Sequence, residues 1–278
     1  MGRVKAKGII PGFGISMGIT VSMLSLIVLI PLISVFLNMR GMTFAEFWHV
    51  ITDKQLVSAY KISLGCSALA ASINAVFGVL LAWILTRYQF PGRRLLDGFI
   101  ELPFALPTAV AGIALTTLYS DKGWVGSLFA RAGIKISYTP AGITIAMIFI
   151  GIPFVVRSVQ PVLEKIDPKC EEAAAMLGAG KSRTFFKVIL PEIFPAALTG
   201  FGLAFARSIG EYGSVVFIAG NIPYKTQIAP VLIVSKLEQF NYAAATSIAL
   251  IMILFAFILL FGLNLIQARI VARSGGGE

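Results

Sequence analysis

Arg207 and Glu211 lie four residues apart in an otherwise apolar stretch, with Ser208, Gly210, Gly213 and Ser214 around them. On a helix that spacing puts a guanidinium and a carboxylate on one face. An ionisable side chain in hydrocarbon costs about 2.5–3.5 kcal/mol on insertion scales, so such residues face a bundle interior or a water-filled cavity. The chemistry open to this group is weak, reversible binding of an oxyanion. Arg207 would attract it, the hydroxyls of Ser208 and Ser214 would assist, and Glu211 would limit how tightly it is held. An internal ion pair with close glycine-mediated helix packing is an equal alternative. A second polar group, Gly180-Lys181-Ser182, imitates the end of a phosphate-binding loop. However, Ala175 stands where that loop needs its first glycine, and no strand precedes it, so the chain is not expected to bind nucleotide. His49 is alone, and Cys66 and Cys170 are far apart in sequence, so neither a metal site nor a catalytic group is expected.

Membrane-spanning helices must position such residues. Of 278 residues, 57% are hydrophobic and 13% charged, against about 25% charged in soluble domains. The apolar residues fall in blocks of roughly 20 or more, enough to cross about 30 Å of hydrocarbon as helices. Six are predicted, near 14–37, 59–86, 98–119, 139–160, 193–220 and 243–267. The first contains Pro31, is too long and lacks a small-residue cleavage pattern, so it reads as a span rather than a cleaved signal peptide. No barrel-like alternation appears, and open sheet edges do not survive in lipid. The fold class is therefore all-α and polytopic, with about six transmembrane helices.

Lysine and arginine set the orientation. With the N-terminus in the cytoplasm, the inner segments carry fourteen of them, from Arg3, Lys5 and Lys7 to Arg269 and Arg273. The outer segments carry eight, including Arg40, Lys54 and Lys61. The bias predicts a multi-pass protein with both termini inside. The net charge of +10 is explained by these flanking residues, so membrane lipid is an expected partner and nucleic acid is not. Trp48, Trp124, Tyr138 and Tyr224 fall near span ends, where interfacial aromatics belong. Arg157, at the inner end of the fourth block, is expected to snorkel to the headgroups, and Glu101 to lie at the inner interface with Asp97.

Two segments depart from a plain span. The third block reads ELPFALPTAVAG, and Pro103 and Pro107 each remove a backbone donor and obstruct the preceding turn. Such a break is tolerated where it is buried in protein or lines a cavity, and a simple bend is the alternative. The stretch from Glu171 to Glu192 is polar and rich in alanine, between two long apolar blocks. Pro168 suits a first turn, Glu171 and Glu172 suit the positive end of a helix dipole, and Gly178 suits a left-handed terminating residue. Alanines 173–175 would let another surface approach closely. A second segment, 181–190, leads to Pro191 and the next block.

This stretch carries a resemblance. Glu172-Ala173-Ala174, three residues, Gly178, nine residues, Val188, one residue and Leu190-Pro191 resembles the "EAA" loop of bacterial ABC importer permeases, with Val188 where isoleucine is commoner. The resemblance extends through AYKISL (59–64), AWILTRYQFPGRRLLD (82–97), LPFALPTAVAG (102–112), IPFVVRSVQPVLE (152–164) and RSIGEYGSVVFIAGNIPYKT (207–226). These look like the permease of sulfate/thiosulfate importers. The molybdate/tungstate permeases share much of the pattern but have shorter chains before the core.

The resemblance implies the type I ABC importer permease fold, with 1–278 as one transmembrane domain, a core of about 55–268 and a cytoplasmic coupling loop of about 164–191. It implies that Glu171, Glu172, Ala173, Ala174, Gly178, Leu190 and Pro191 form the element that docks on an ATPase dimer, which holds the ATP and Mg. It further implies a second, similar permease subunit or a copy of this chain, and an extracytoplasmic sulfate-binding protein. The translocation path is assigned to Arg207, Ser208, Glu211, Ser214, Pro103 and Pro107. The reading from another class is an ion-coupled secondary anion transporter, for which Glu211 is the one good coupling carboxylate. No internal repeat supports that reading.

Overall fold

Long apolar runs can satisfy their backbone in lipid only as helices or closed barrels, and every regular element among the described residues is a helix. The structure is a computed structural model and describes residues 12–39 and 41–274. Arg3, Lys5, Lys7 and Arg40, which enter the orientation count, lie outside the described residues. In chain order the helices are α1 (Phe13–Asn38), α2 (Phe44–Ile51), α3 (Lys54–Arg87), α4 (Arg93–Ala105), α5 (Thr108–Tyr119) and α6 (Gly126–Arg131). They continue with α7 (Pro140–Lys165), α8 (Lys169–Met176), α9 (Lys181–Ile209), α10 (Gly213–Ala219), α11 (Ala229–Glu238) and α12 (Tyr242–Ser274). Five are long and apolar enough to cross a membrane, and α4 with α5 adds a sixth span as a bent pair.

The centre of the bundle is α3, α7 and α9, packed side by side. Small residues permit the close approach. A Cβ on Gly78 of α3 would lie 2.7 Å from Val155 Cβ, and one on Gly200 of α9 would lie 2.7 Å from Val155 Cα. Val155 is therefore clasped from both sides, and α7 cannot separate from either neighbour without losing that packing. Ile143, Val156, Val159, Ile193 and Phe205 fill the surrounding layers. Outside this centre α12 packs on α9 and α11, while α1 leans on α12 and buries none of its own residues.

The fifth block runs from Lys181 to Ile209 rather than over 193–220. Its N-terminal part stays helical through Pro191 because one wide turn at Phe185–Ile189 absorbs the missing donor. At the other end the helix stops, and the equally apolar α10 had extended the expected block. The segment 221–242 is more than a loop. It carries α11, whose Ala229, Val231 and Leu232 are buried, and Ser63 Oγ accepts the Ala229 N–H at 2.8 Å. At the same end of the bundle Thr43 caps α2 reciprocally with Glu46. The Thr43 N–H and hydroxyl hold the Glu46 carboxyl below its ordinary range. Trp48, Trp124, Tyr138 and Tyr224 stay exposed on these connections.

Candidate functional site

One bent helix pair and one helix end meet here. The α4–α5 pair bends by 115°, far more than a proline kink within one helix. Leu106, forced out of the helical region by the proline after it, is extended at φ −84° and ψ 133°. Pro107 then starts α5, and Pro103 lies inside α4 one turn earlier. The helix end separates α9 from α10, with Glu211 in the joint. A Cβ on Gly112 of α5 would lie 2.6 Å from the Ser214 carbonyl oxygen and 2.7 Å from its Cα. Gly213 packs on the Thr108 side chain and the Ala109 backbone nitrogen, 3.2 Å from where its Cβ would stand. Only glycine allows the two joints to touch backbone to backbone.

The charged pair sits in that contact. The Arg207 Nη1 donates to Glu211 Oε2 at 2.6 Å, and Glu211 Oε1 accepts the Ser214 backbone N–H at 2.8 Å and its hydroxyl at 3.0 Å. The pair forms as its spacing foretold, but not along one continuous helix face, because the helix has already ended. Glu211 is 2% exposed and saturated by these bonds, whereas the Arg207 side chain is 35% exposed. A guanidinium has five N–H donors, and the pair leaves most of them directed elsewhere. The arrangement can present a fixed cation at a surface while its counter-charge stays inside. Ser208 does not join it. Its side chain is buried and makes no bond to Arg207, Glu211 or Ser214.

The segment expected to couple is built as a separate knob. α8 ends in a Schellman turn: the Ala179 N–H bonds to Ala174 O and the Gly178 N–H to Ala175 O, both at 2.9 Å, with Gly178 at φ +77°. Glu172, Ala173 and Pro191 are exposed, Ala174 and Leu190 partly covered. Glu171 turns inward to an ion pair with Arg87 Nη2 at 3.0 Å, and the same nitrogen donates to Ile166 O at 3.2 Å. Met176 and Leu177, at 88% and 89% exposed, were not singled out from the sequence. Two bulky apolar residues closing a polar helix just before its terminating glycine were the available signal.

One expectation is corrected. Arg157 does not reach for headgroups: it pairs with Asp97 at 2.9 Å and Glu101 at 2.6 Å, and donates to Gln160 at 2.7 Å. Burial of part of the side chain between α7 and α4 favours these charge-assisted bonds over hydration. Glu101, beside Asp97 and still exposed, is thereby a partner in a clamp. Both cysteines are free, Cys66 buried and Cys170 exposed.

The fold and this site define a multi-pass helical membrane protein with an exposed, apolar-tipped knob at one end and, within, a joint between a bent helix pair and the end of α9. The family described as binding-protein-dependent transport system inner membrane component matches residues 74–275. The sulfate transport system permease protein CysT of Escherichia coli is 48% identical over 276 residues, 99% of this chain and 100% of that protein. The CysT of Synechococcus elongatus is 50% identical over 244 residues, 88% of each chain. Among solved structures, a bacterial ABC transporter for import of the polysaccharide alginate aligns with a TM-score of 0.75 at 17% identity, covering 90% of this chain and 92% of that one. The inward-facing MetNI methionine ABC transporter aligns at 0.61 and 16% identity, covering 82% and 99%. The chain belongs to the binding-protein-dependent transport system inner membrane component family. Its fold is the all-helical type I ABC importer permease fold.

Proposed function

We propose that this chain is the permease subunit of an ATP-driven sulfate importer, accepting thiosulfate as well. The observation that carries the reading is near-complete coverage at 48% identity by a sulfate transport permease, together with the Met176–Leu177 knob exposed beside Glu172. The chain itself is no enzyme. An ATPase dimer holding ATP and Mg would receive α8 in a groove, and a sulfate-binding protein would deliver the anion at the opposite end. A second, similar permease would complete the path, since Arg207 faces outward from a joint that one subunit leaves half-enclosed. Both termini would lie in the cytoplasm, on the side of α8. Closure of the ATPase dimer would draw the α8 helices together and tilt the spans, giving alternating access with the energy source outside the chain. Arg207 would hold the anion weakly, Glu211 keeping its attraction below that of a bare guanidinium.

The test is uptake of radiolabelled sulfate and thiosulfate by cells lacking their own sulfate importers, complemented with this chain and its gene neighbours. ATP-dependent accumulation of both anions, lost when the ATPase is inactivated, is expected. Accumulation that persists without the ATPase would replace the reading with an ion-coupled transporter.

A further inference from the structure

The turn between α3 and α4 frames a cavity of about 590 Å³ that shares no residue with the Arg207–Glu211 joint. Its walls combine two chemistries. Arg93 and Arg94 supply charge, and Leu85, Phe90 and Leu95 supply apolar surface. Among the described residues neither guanidinium has a carboxylate within 4.0 Å, and the carboxylate lining the cavity, Asp97, is engaged by Arg157 at 2.9 Å. α4 follows Gly92, at φ +90°, and has no side-chain cap and no acidic residue in its first turn. The positive end of this 13-residue helix therefore adds to the two arginines. Leu95 and, one turn on, Phe99 are 70% and 64% exposed, continuing the apolar wall along the outside of a membrane span.

We infer that this cavity binds the headgroup of an anionic phospholipid, with Arg93 and Arg94 on the phosphate and Phe90 and Leu95 against the first acyl carbons. Basic concavities between membrane helices fit such headgroups. A small free anion would make no use of the apolar wall, and a zwitterionic lipid would bring its own cation against unpaired guanidinium groups. Asp97 connects the site to the rest of the chain. It lines the cavity and grips Arg157, which also holds Glu101 on α4, so headgroup binding bears on the clamp between α4 and α7. The inference holds whatever anion the transporter carries.

The test uses the complete transporter purified in detergent and titrated with fluorescently labelled phosphatidylglycerol and phosphatidylcholine. Wild type should prefer phosphatidylglycerol. The Arg93→Gln/Arg94→Gln variant should weaken that binding on the order of 30-fold, from two removed cations, and leave phosphatidylcholine unchanged. Arg93→Lys/Arg94→Lys should stay within a few-fold of wild type, and should the double glutamine variant not purify, Arg94→Gln alone should weaken binding about fivefold. Equal binding of the two lipids by wild type, or an unchanged preference in the glutamine variant, would overturn the assignment. Displacement of phosphatidylglycerol by millimolar inorganic phosphate would overturn it too, in favour of a free-anion site.

Discussion

Glu211 is the residue on which the joint depends, because a carboxylate at 2% exposure needs both of its oxygens occupied. Arg207 and Ser214 occupy them. Removing Arg207 alone leaves a buried charge uncompensated, a loss of about 3–5 kcal/mol, so Arg207→Ala should lower both yield and uptake. The informative variant is Arg207→Ala/Glu211→Gln, in which the charges leave together and the new amide oxygen still accepts the Ser214 N–H. We expect its yield and thermal stability to return towards wild type while sulfate uptake stays lost. Restored uptake would reduce Arg207 to a packing role. The i to i+4 spacing made this pair legible in the sequence. The fate of Ser208 was not legible, because a serine beside an arginine in sequence points the opposite way once the helix turns, and Ser208 faces the core.

At the scale of elements, the bent α4–α5 pair and the α9–α10 joint are held together by glycines that have no room to become anything else. A methyl group on Gly112 would meet backbone atoms of Ser214, which cannot swing aside as a flexible side chain could. Gly112→Ala should therefore push α5 from α10 and cost about 1–3 kcal/mol. It should cut uptake and lower the melting temperature of the purified complex, while Gly98→Ala, where a Cβ meets nothing within 4 Å, should change neither. The break at Pro107 was legible from the two prolines. The one after Ile209 was not, because hydropathy reads Gly213–Ala219 as a continuation of the span and is blind to a carboxylate that satisfies the next helix's backbone. Arg157 illustrates the same limit. Its partner Glu101 is 56 residues away, so sequence alone assigned it to the nearest headgroups, and only packing of α7 on α4 brings the acids to it.

For the molecule as a whole, the question is how a push on α8, docked as proposed, would reach the joint. The proposed docking surface can be disabled first. Gly178→Asp places a side chain at φ +77°, costing about 1–3 kcal/mol, and Leu177→Asp puts a charge on the apolar knob. Either should abolish co-purification of the ATPase while leaving the permease inserted in the membrane. Normal co-purification of both would remove α8 from the docking role. The short helix and its terminating glycine were legible as a spaced motif, yet its connection inward was not, since Arg87 ends α3 and Glu171 lies on α8.

That connection is a side-chain link between the loop and the bundle. The Arg87 side chain is only 16% exposed, pairs with Glu171, donates to Ile166 O and lies 5.9 Å from the Trp83 ring, which itself meets Phe185 edge-on at 5.2 Å. α8 is thus anchored to the end of α3, and α3 is clasped with α7 and α9 through Gly78, Val155 and Gly200. Force on the knob can therefore move the central helices as a body, with α9 carrying it to Glu211. Arg87→Ala cuts the anchor without touching Glu172, Met176, Leu177 or Gly178. The ATPase should still co-purify, but stimulation of its hydrolysis by the loaded binding protein should fall by about 5–150-fold, the range of ordinary coupling energies, and uptake should fall with it. Arg87→Lys should recover part of the effect, keeping the charge but not the planar guanidinium whose Nη2 meets both Glu171 and Ile166 O. If Arg87→Ala leaves the stimulation intact, the force enters through the start of α9 at Lys181 instead, and the anchor serves only to hold α8 in place.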